Sequence, residues 1–83
     1  MPFYVYILQS KKSGKFYIGQ TNDINRRLFY HNSGYSKSTK SGIPWELVYL
    51  KEFETRSESM HYEKKLKGMK SKLYIERLIW KSK

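Results

Sequence analysis

Tyr17, Arg27 and His31 set a phenol, a guanidinium and an imidazole within fifteen residues of one another. Arg27 and His31 are four apart, so a helix carries them on one face, one turn from each other. Tyr17 belongs to the short apolar-aromatic run Phe16-Tyr17-Ile18-Gly19-Gln20, which reads as a strand that turns at Gly19. Asn22 and Asp23 follow, with side chains suited to cap the orphan amides of the next helix. Ile24 and Leu28, again one turn apart, seat that helix on a core. A strand tyrosine, an arginine and a histidine can therefore share one cleft.

Glu63 is the second chemical signal. It stands alone on a basic stretch with Lys64, Lys65, Lys67, Lys70 and Lys72. One reading is an i,i+4 pair with Lys67, worth about 0.2–0.5 kcal/mol. The other is a metal ligand, because one carboxylate completed by waters and phosphate oxygens is a common way to hold Mg²⁺. Each of the others has a plain reading too. His31 alone suits a surface or capping role, Arg27 alone a solvated charge, and Tyr6 and Tyr17 alone are ordinary residues of a half-buried pleated surface. His61 has only exposure to recommend it. Lys37, Thr39 and Lys40 lie in a basic, hydroxyl-rich segment that is either solvated filler or a phosphate contact.

The elements that must position these groups read β-β-α-β-α-α. Phe3 to Leu8 alternates, with Phe3, Val5 and Ile7 on one face and Tyr4, Tyr6 and Leu8 on the other. Residues 10–15 form a polar connection short enough for a hairpin to the Phe16 strand. Pairing odd with even positions puts Tyr6 and Tyr17 on one face, and that register is expected here; the other would separate them. The first helix ends near Asn32-Ser33-Gly34, with Gly34 as a left-handed cap, and a loop runs to Pro44. Trp45 to Phe53 reads as a third strand, and its run Leu47-Val48-Tyr49-Leu50 predicts a central strand covered on both faces. Thr55-Arg56-Ser57-Glu58 is a capping box opening a helix with Tyr62, Leu66 and Met69 toward the core. Gly68 is expected to interrupt it. A last helix, about Ser71 to Trp80, offers Leu73, Ile75, Leu78, Ile79 and Trp80.

Composition sets the partner. The chain has 83 residues, 17 basic against 7 acidic, a net charge of +10, and 17% aromatic residues. One domain over residues 1–83 is expected, with a small core that needs those aromatics. The charge points to a polyanion, nucleic acid before an anionic membrane surface. No apolar run approaches the roughly 18 residues of a spanning helix, and no signal-peptide pattern opens the sequence. No helix pairs a basic face with a broad apolar one, which disfavours a membrane-surface role. The absence of cysteine excludes disulfides and thiolate metal sites and suits a reducing, cytoplasmic location.

Taken in order, these residues resemble the GIY-YIG nuclease superfamily across nearly the whole chain. Tyr4-Val5-Tyr6 occupies the first signature, and Tyr17-Ile18-Gly19 matches the second without change. Arg27 and His31 match the family's helix arginine and the histidine or tyrosine one turn later. Glu63, in Tyr62-Glu63-Lys64-Lys65-Leu66-Lys67-Gly68, matches its metal-binding glutamate. The layout is most similar to compact stand-alone bacterial members, relatives of the catalytic domain of the excision-repair endonuclease subunit. Tyr4 replaces the named glycine, Gln20 stands where some members place a lysine, and no asparagine follows Asn32. The resemblance implies a small α/β (α+β) domain, a three-stranded antiparallel sheet flanked by helices, acting as a divalent-metal-dependent endonuclease on nucleic acid, with DNA the expected substrate. It implies that Glu63 anchors Mg²⁺ or Mn²⁺, Arg27 neutralises developing phosphate charge, Tyr17 deprotonates or orients the water, and Tyr6 and His31 position it or share the proton. The competing reading is a non-catalytic nucleic-acid-binding module that keeps the fold; a carboxylate kept in a basic cleft argues against it, since binding alone has no use for one.

Overall fold

In a computed structural model describing residues 2–82, the elements are β1 (Phe3–Ser10), β2 (Phe16–Thr21), α1 (Ile24–Asn32), α2 (Lys37–Lys40), β3 (Trp45–Phe53), α3 (Arg56–Met69) and α4 (Lys72–Lys81). The strands form one antiparallel sheet in the order β2-β1-β3. The expected β-β-α-β-α-α order is therefore present, with one extra turn of helix, α2, inside the segment expected to be loop.

The centre of the sheet is β1, not β3 as its apolar run predicts. The reason is a bulge. Ile7 pairs with Tyr49 but Leu8 pairs with Leu47, so Val48 is an extra residue in β3. Beyond it the side chains change sides: Leu47 packs on one face of the sheet, Val48 and Tyr49 both on the other. Four apolar residues in a row thus mark a bulged edge strand rather than a doubly covered one, and Leu50 remains 43% exposed.

Helices cover both faces. On one, Val5, Ile7 and Tyr49 are buried against Leu66 of α3 and Ile75 and Ile79 of α4, with Phe16, Ile18 and Tyr62 packed around them. On the other, Tyr6, Leu8 and Trp45 form a smaller core with Ile24 and Leu28 of α1. At α1, the Asp23 carboxylate accepts the Arg26 amide at 3.1 Å. Gly34, past the helix end, takes φ +86°, a conformation open to glycine at little cost. The Thr55–Glu58 capping box opens α3. Gly68 does not interrupt that helix; it runs on to Met69 and stops at Lys70, which adopts the left-handed φ of 49° itself. Leu73 and Trp80, expected in the core, point outward from α4, since the sheet takes only its Ile75–Ile79 stripe. Among the described residues no helix is long and apolar enough to cross a membrane.

Candidate active site

Tyr6 sits on the central strand opposite Gly19, and Tyr17 is opposite Leu8, so the two tyrosines share the α1 face of the sheet. Their rings lie stacked with centroids 6.4 Å apart. Gly19 is there because Tyr6 is. A Cβ at position 19 would overlap the Tyr6 hydroxyl and the ring carbon that bears it. The bare glycine lets the phenol lie across β2 with its hydroxyl bonded to His31. Gly19→Ala is expected to destabilise the fold by about 1–3 kcal/mol through this overlap, measured by urea unfolding; an unchanged midpoint would show that the ring swings aside at no cost.

His31 is buried at the end of α1 and bonded at both nitrogens. Its Nε2 meets the Tyr6 hydroxyl at 3.2 Å and its Nδ1 meets Thr39 Oγ1 at 3.1 Å. A neutral imidazole donates from one nitrogen and accepts at the other, so either tautomer satisfies both bonds. The ring also stands 4.7 Å from Tyr17 between centroids. Thr39 is held in turn by its backbone oxygen, which accepts the Trp45 indole N–H at 2.7 Å. Asn32 clamps the same corner, donating to the Trp45 carbonyl at 3.0 Å and accepting its amide at 2.7 Å.

These contacts correct the expectation for Thr39. It is buried on α2 and its hydroxyl bonds His31, so that hydroxyl orients the imidazole rather than standing free on the surface. A hydroxyl-rich segment is polar in sequence whether it faces water or orients a buried imidazole. Lys37 and Lys40 remain exposed on the same short helix.

Burial raises the Tyr6 pKa, and the Arg27 guanidinium beside the phenol pulls it part of the way back. Tyr6 is therefore protonated at neutral pH. His31 is shifted down, first by burial and then by the Arg27 charge, so its imidazole is neutral. The unfolded chain then takes up a proton at His31 before the folded chain does. The stability His31 contributes is complete above the unfolded-state value of about 6.5 and is lost as the pH falls below it toward the lower folded-state pKa. Thermal melts from pH 7.5 to 5.0 should show a falling Tm, and His31→Gln should flatten that slope.

Glu63 comes from the other side. Its helix, α3, packs on the Val5–Ile7 face and runs along β2, where the Ser59 hydroxyl donates to Gln20 Oε1 at 3.3 Å. Glu63 lies one turn beyond Ser59 on the same helix face. Its side chain is 19% exposed and pairs with Lys67 at 3.0 Å. The carboxylate is near enough to Tyr6 for its charge to add to the upward shift of that phenol. Tyr6, Tyr17 and His31 meet on the α1 face of the sheet with Arg27 beside the Tyr6 phenol, whereas Glu63 rides on α3, which packs on the opposite face. Among the described residues no three His, Cys, Asp or Glu side chains cluster as a metal cage. One hard oxygen ligand in a solvent-reached position suits a cation that keeps waters and takes phosphate oxygens, as Mg²⁺ does.

Sequence reasoning missed the parts that hold these groups in place. The Thr39 and Trp45 supports of His31 and the Gln20–Ser59 tie of α3 to β2 are contacts between elements, with no local signature; the Tyr30 ring under Arg27 (5.4 Å to the centroid) is an i,i+3 contact within α1 that helix spacing signals.

The GIY-YIG catalytic domain family matches residues 2–76 of the chain. A UPF0213 protein of Streptococcus pneumoniae serotype 4 is 41% identical over 68 residues, 81% of this chain and 68% of that protein. The UPF0213 protein YazA of Bacillus subtilis is 39% identical over 77 residues, 88% of this chain and 77% of that one. The solution NMR structure of a UPF0213 protein from Bacillus halodurans matches with a TM-score of 0.59 at 38% identity, covering 95% of this chain and 83% of that chain.

Proposed function

The chain belongs to the GIY-YIG family, a nuclease family whose members are generally divalent-metal dependent, and from that premise we propose that it is an endonuclease hydrolysing phosphodiester bonds in DNA. The observation that carries the reading is the hydrogen-bonded pair of Tyr6 and His31, 3.2 Å apart, with the Tyr17 ring against both and the Arg27 guanidinium beside the phenol. Residues 1–83 act as one nuclease domain in this reading, and nucleic acid is the partner that a net charge of +10 suits.

Arg27 is exposed at the mouth of the site, where its guanidinium fork pairs with the non-bridging oxygens of the scissile phosphate and offsets charge gained in the transition state. Tyr17 orients the attacking water. With the imidazole proton on Nδ1, the Tyr6 hydroxyl donates to His31 Nε2. As water attacks phosphorus, its proton passes to the Tyr6 oxygen while the Tyr6 proton passes to Nε2. The new P–O bond forms as the bond to the leaving sugar oxygen breaks, and that oxygen takes a proton from solvent. The imidazolium that results is disfavoured by burial and by Arg27, so it gives its proton back to water and the pair resets. Glu63 would hold a divalent cation, Mg²⁺ or Mn²⁺, which supplies Lewis-acid polarisation of the phosphate when bound.

The test is a cleavage screen of labelled single-stranded, duplex, flapped and branched DNA, and of RNA, with Mg²⁺ or Mn²⁺. Metal-dependent cleavage of DNA is expected and should stop with a chelator. Binding without cleavage across all substrates and both metals would leave a nucleic-acid-binding module instead.

A further inference from the structure

Outside the groups assigned to the reaction, α1 and the segment after it carry exposed aromatic rings that the core does not use. Tyr30 and Tyr35 stack on each other, with centroids 6.2 Å apart and planes within 20°. Arg27 covers Tyr30 from 5.4 Å, and the Tyr30 ring meets the His31 ring edge-on at 5.7 Å. The result is a column that starts at the site's arginine and ends on Tyr35, which is 76% exposed. Beside it, Thr21, Asn22, Asp23, Arg26, Arg27 and Tyr30 line a cleft of about 320 Å³. Lys37, two residues past Tyr35, is exposed as well.

Holding two rings stacked in water needs a reason, because neither is buried deeply enough to anchor a core. An aromatic platform beside guanidinium groups is the form in which proteins receive nucleobases: the charges take the phosphates and the ring takes the base. We infer that the open face of Tyr35 binds an unpaired nucleobase one or two nucleotides from a phosphate held in the Arg26–Arg27 cleft. The inference rests on the nuclease reading and narrows it to substrates with an unpaired base beside the cut. A base inside duplex is covered on both faces by its neighbours and must be unstacked first, at a cost of a few kcal/mol. A single strand, flap or gap presents it free.

Binding measured in EDTA keeps the question separate from cleavage. Fluorescence anisotropy would follow a labelled 12-nucleotide oligothymidylate, the same strand with abasic sites in place of its bases, and a blunt duplex. Each would be titrated with wild type, Tyr35→Ala and Tyr35→Phe, all checked for folding by circular dichroism. Tyr35→Ala is expected to weaken the oligothymidylate by about 5- to 100-fold and to leave the abasic strand and the duplex unchanged, while Tyr35→Phe restores wild-type affinity. Equal affinities for wild type and Tyr35→Ala on the oligothymidylate would overturn the stacking site while leaving the nuclease reading intact. An equal loss on the abasic strand would overturn it too, since no base is there to stack. Wild type that binds none of the three would overturn the nucleic-acid reading and the stacking site together.

Discussion

Glu63→Gln is expected to lower single-turnover cleavage by at least about 100-fold, the loss of roughly 2.7 kcal/mol of transition-state stabilisation, while binding to the same substrate holds or tightens. Glutamine keeps the length of the side chain and removes the charge that a divalent cation requires. The two outcomes part because the carboxylate repels phosphate in the absence of metal and attracts it only through metal. The pair with Lys67 also disappears, but an i,i+4 helix pair of this kind is worth only about 0.2–0.5 kcal/mol. Unfolding of the variant at nearly the wild-type midpoint would therefore show that the lost rate is chemical. Cleavage undiminished in Glu63→Gln would remove this residue from the reaction and leave it as the partner of Lys67 alone.

Arg27→Ala should reduce cleavage by a comparable factor, about 100-fold, but with a loss of binding that Glu63→Gln does not show. The guanidinium charge acts on both ionisable partners of the relay. It pulls the Tyr6 pKa down against burial and the His31 pKa down with burial. Its removal should therefore raise the Tyr6 pKa further and let the His31 pKa climb back. The pH profile of the residual cleavage should shift its acidic limb upward, because His31 must be neutral to accept the proton. Arg27→Lys keeps the charge but not the fork, so it should preserve the profile better than the rate. A residual activity with an unmoved acidic limb would place Arg27 on the phosphate without influence over His31.

Much of this was legible before any coordinates, for reasons that differ from element to element. The alternation of β1 and the odd-with-even hairpin put Tyr6 beside Tyr17, because side-chain parity is a local property and the pairing observed is Tyr6 opposite Gly19. The capping box of α3 was likewise local and is present in full. The position of β3 was not legible, because a bulge at Val48 writes the same apolar run as a central strand. The role of Thr39 was hidden for a related reason: its partner His31 is on another helix, and a hydroxyl carries no mark of which way it faces. Gly68 promised a break that Lys70 supplied instead, since a helix with its packed face at Leu66 tolerates glycine near its end. The five candidate residues are proposed from their order along the chain; that the helix of Glu63 packs on the far side of the sheet from Tyr6 and Tyr17 is a fact of packing alone.

The place of Tyr6 on the middle strand has a consequence for motion. Its neighbours Val5 and Ile7 belong to one core while Tyr6 and Leu8 belong to the other, and both edges of β1 are hydrogen-bonded to other strands. No local opening can release the Tyr6 backbone without separating a sheet and two cores at once. Its amide should exchange with solvent only through global unfolding, whereas the amides on the unpaired side of β2 exchange through small excursions. Heat should then abolish the site and the fold in one cooperative event, with no window in which a folded protein carries a displaced Tyr6.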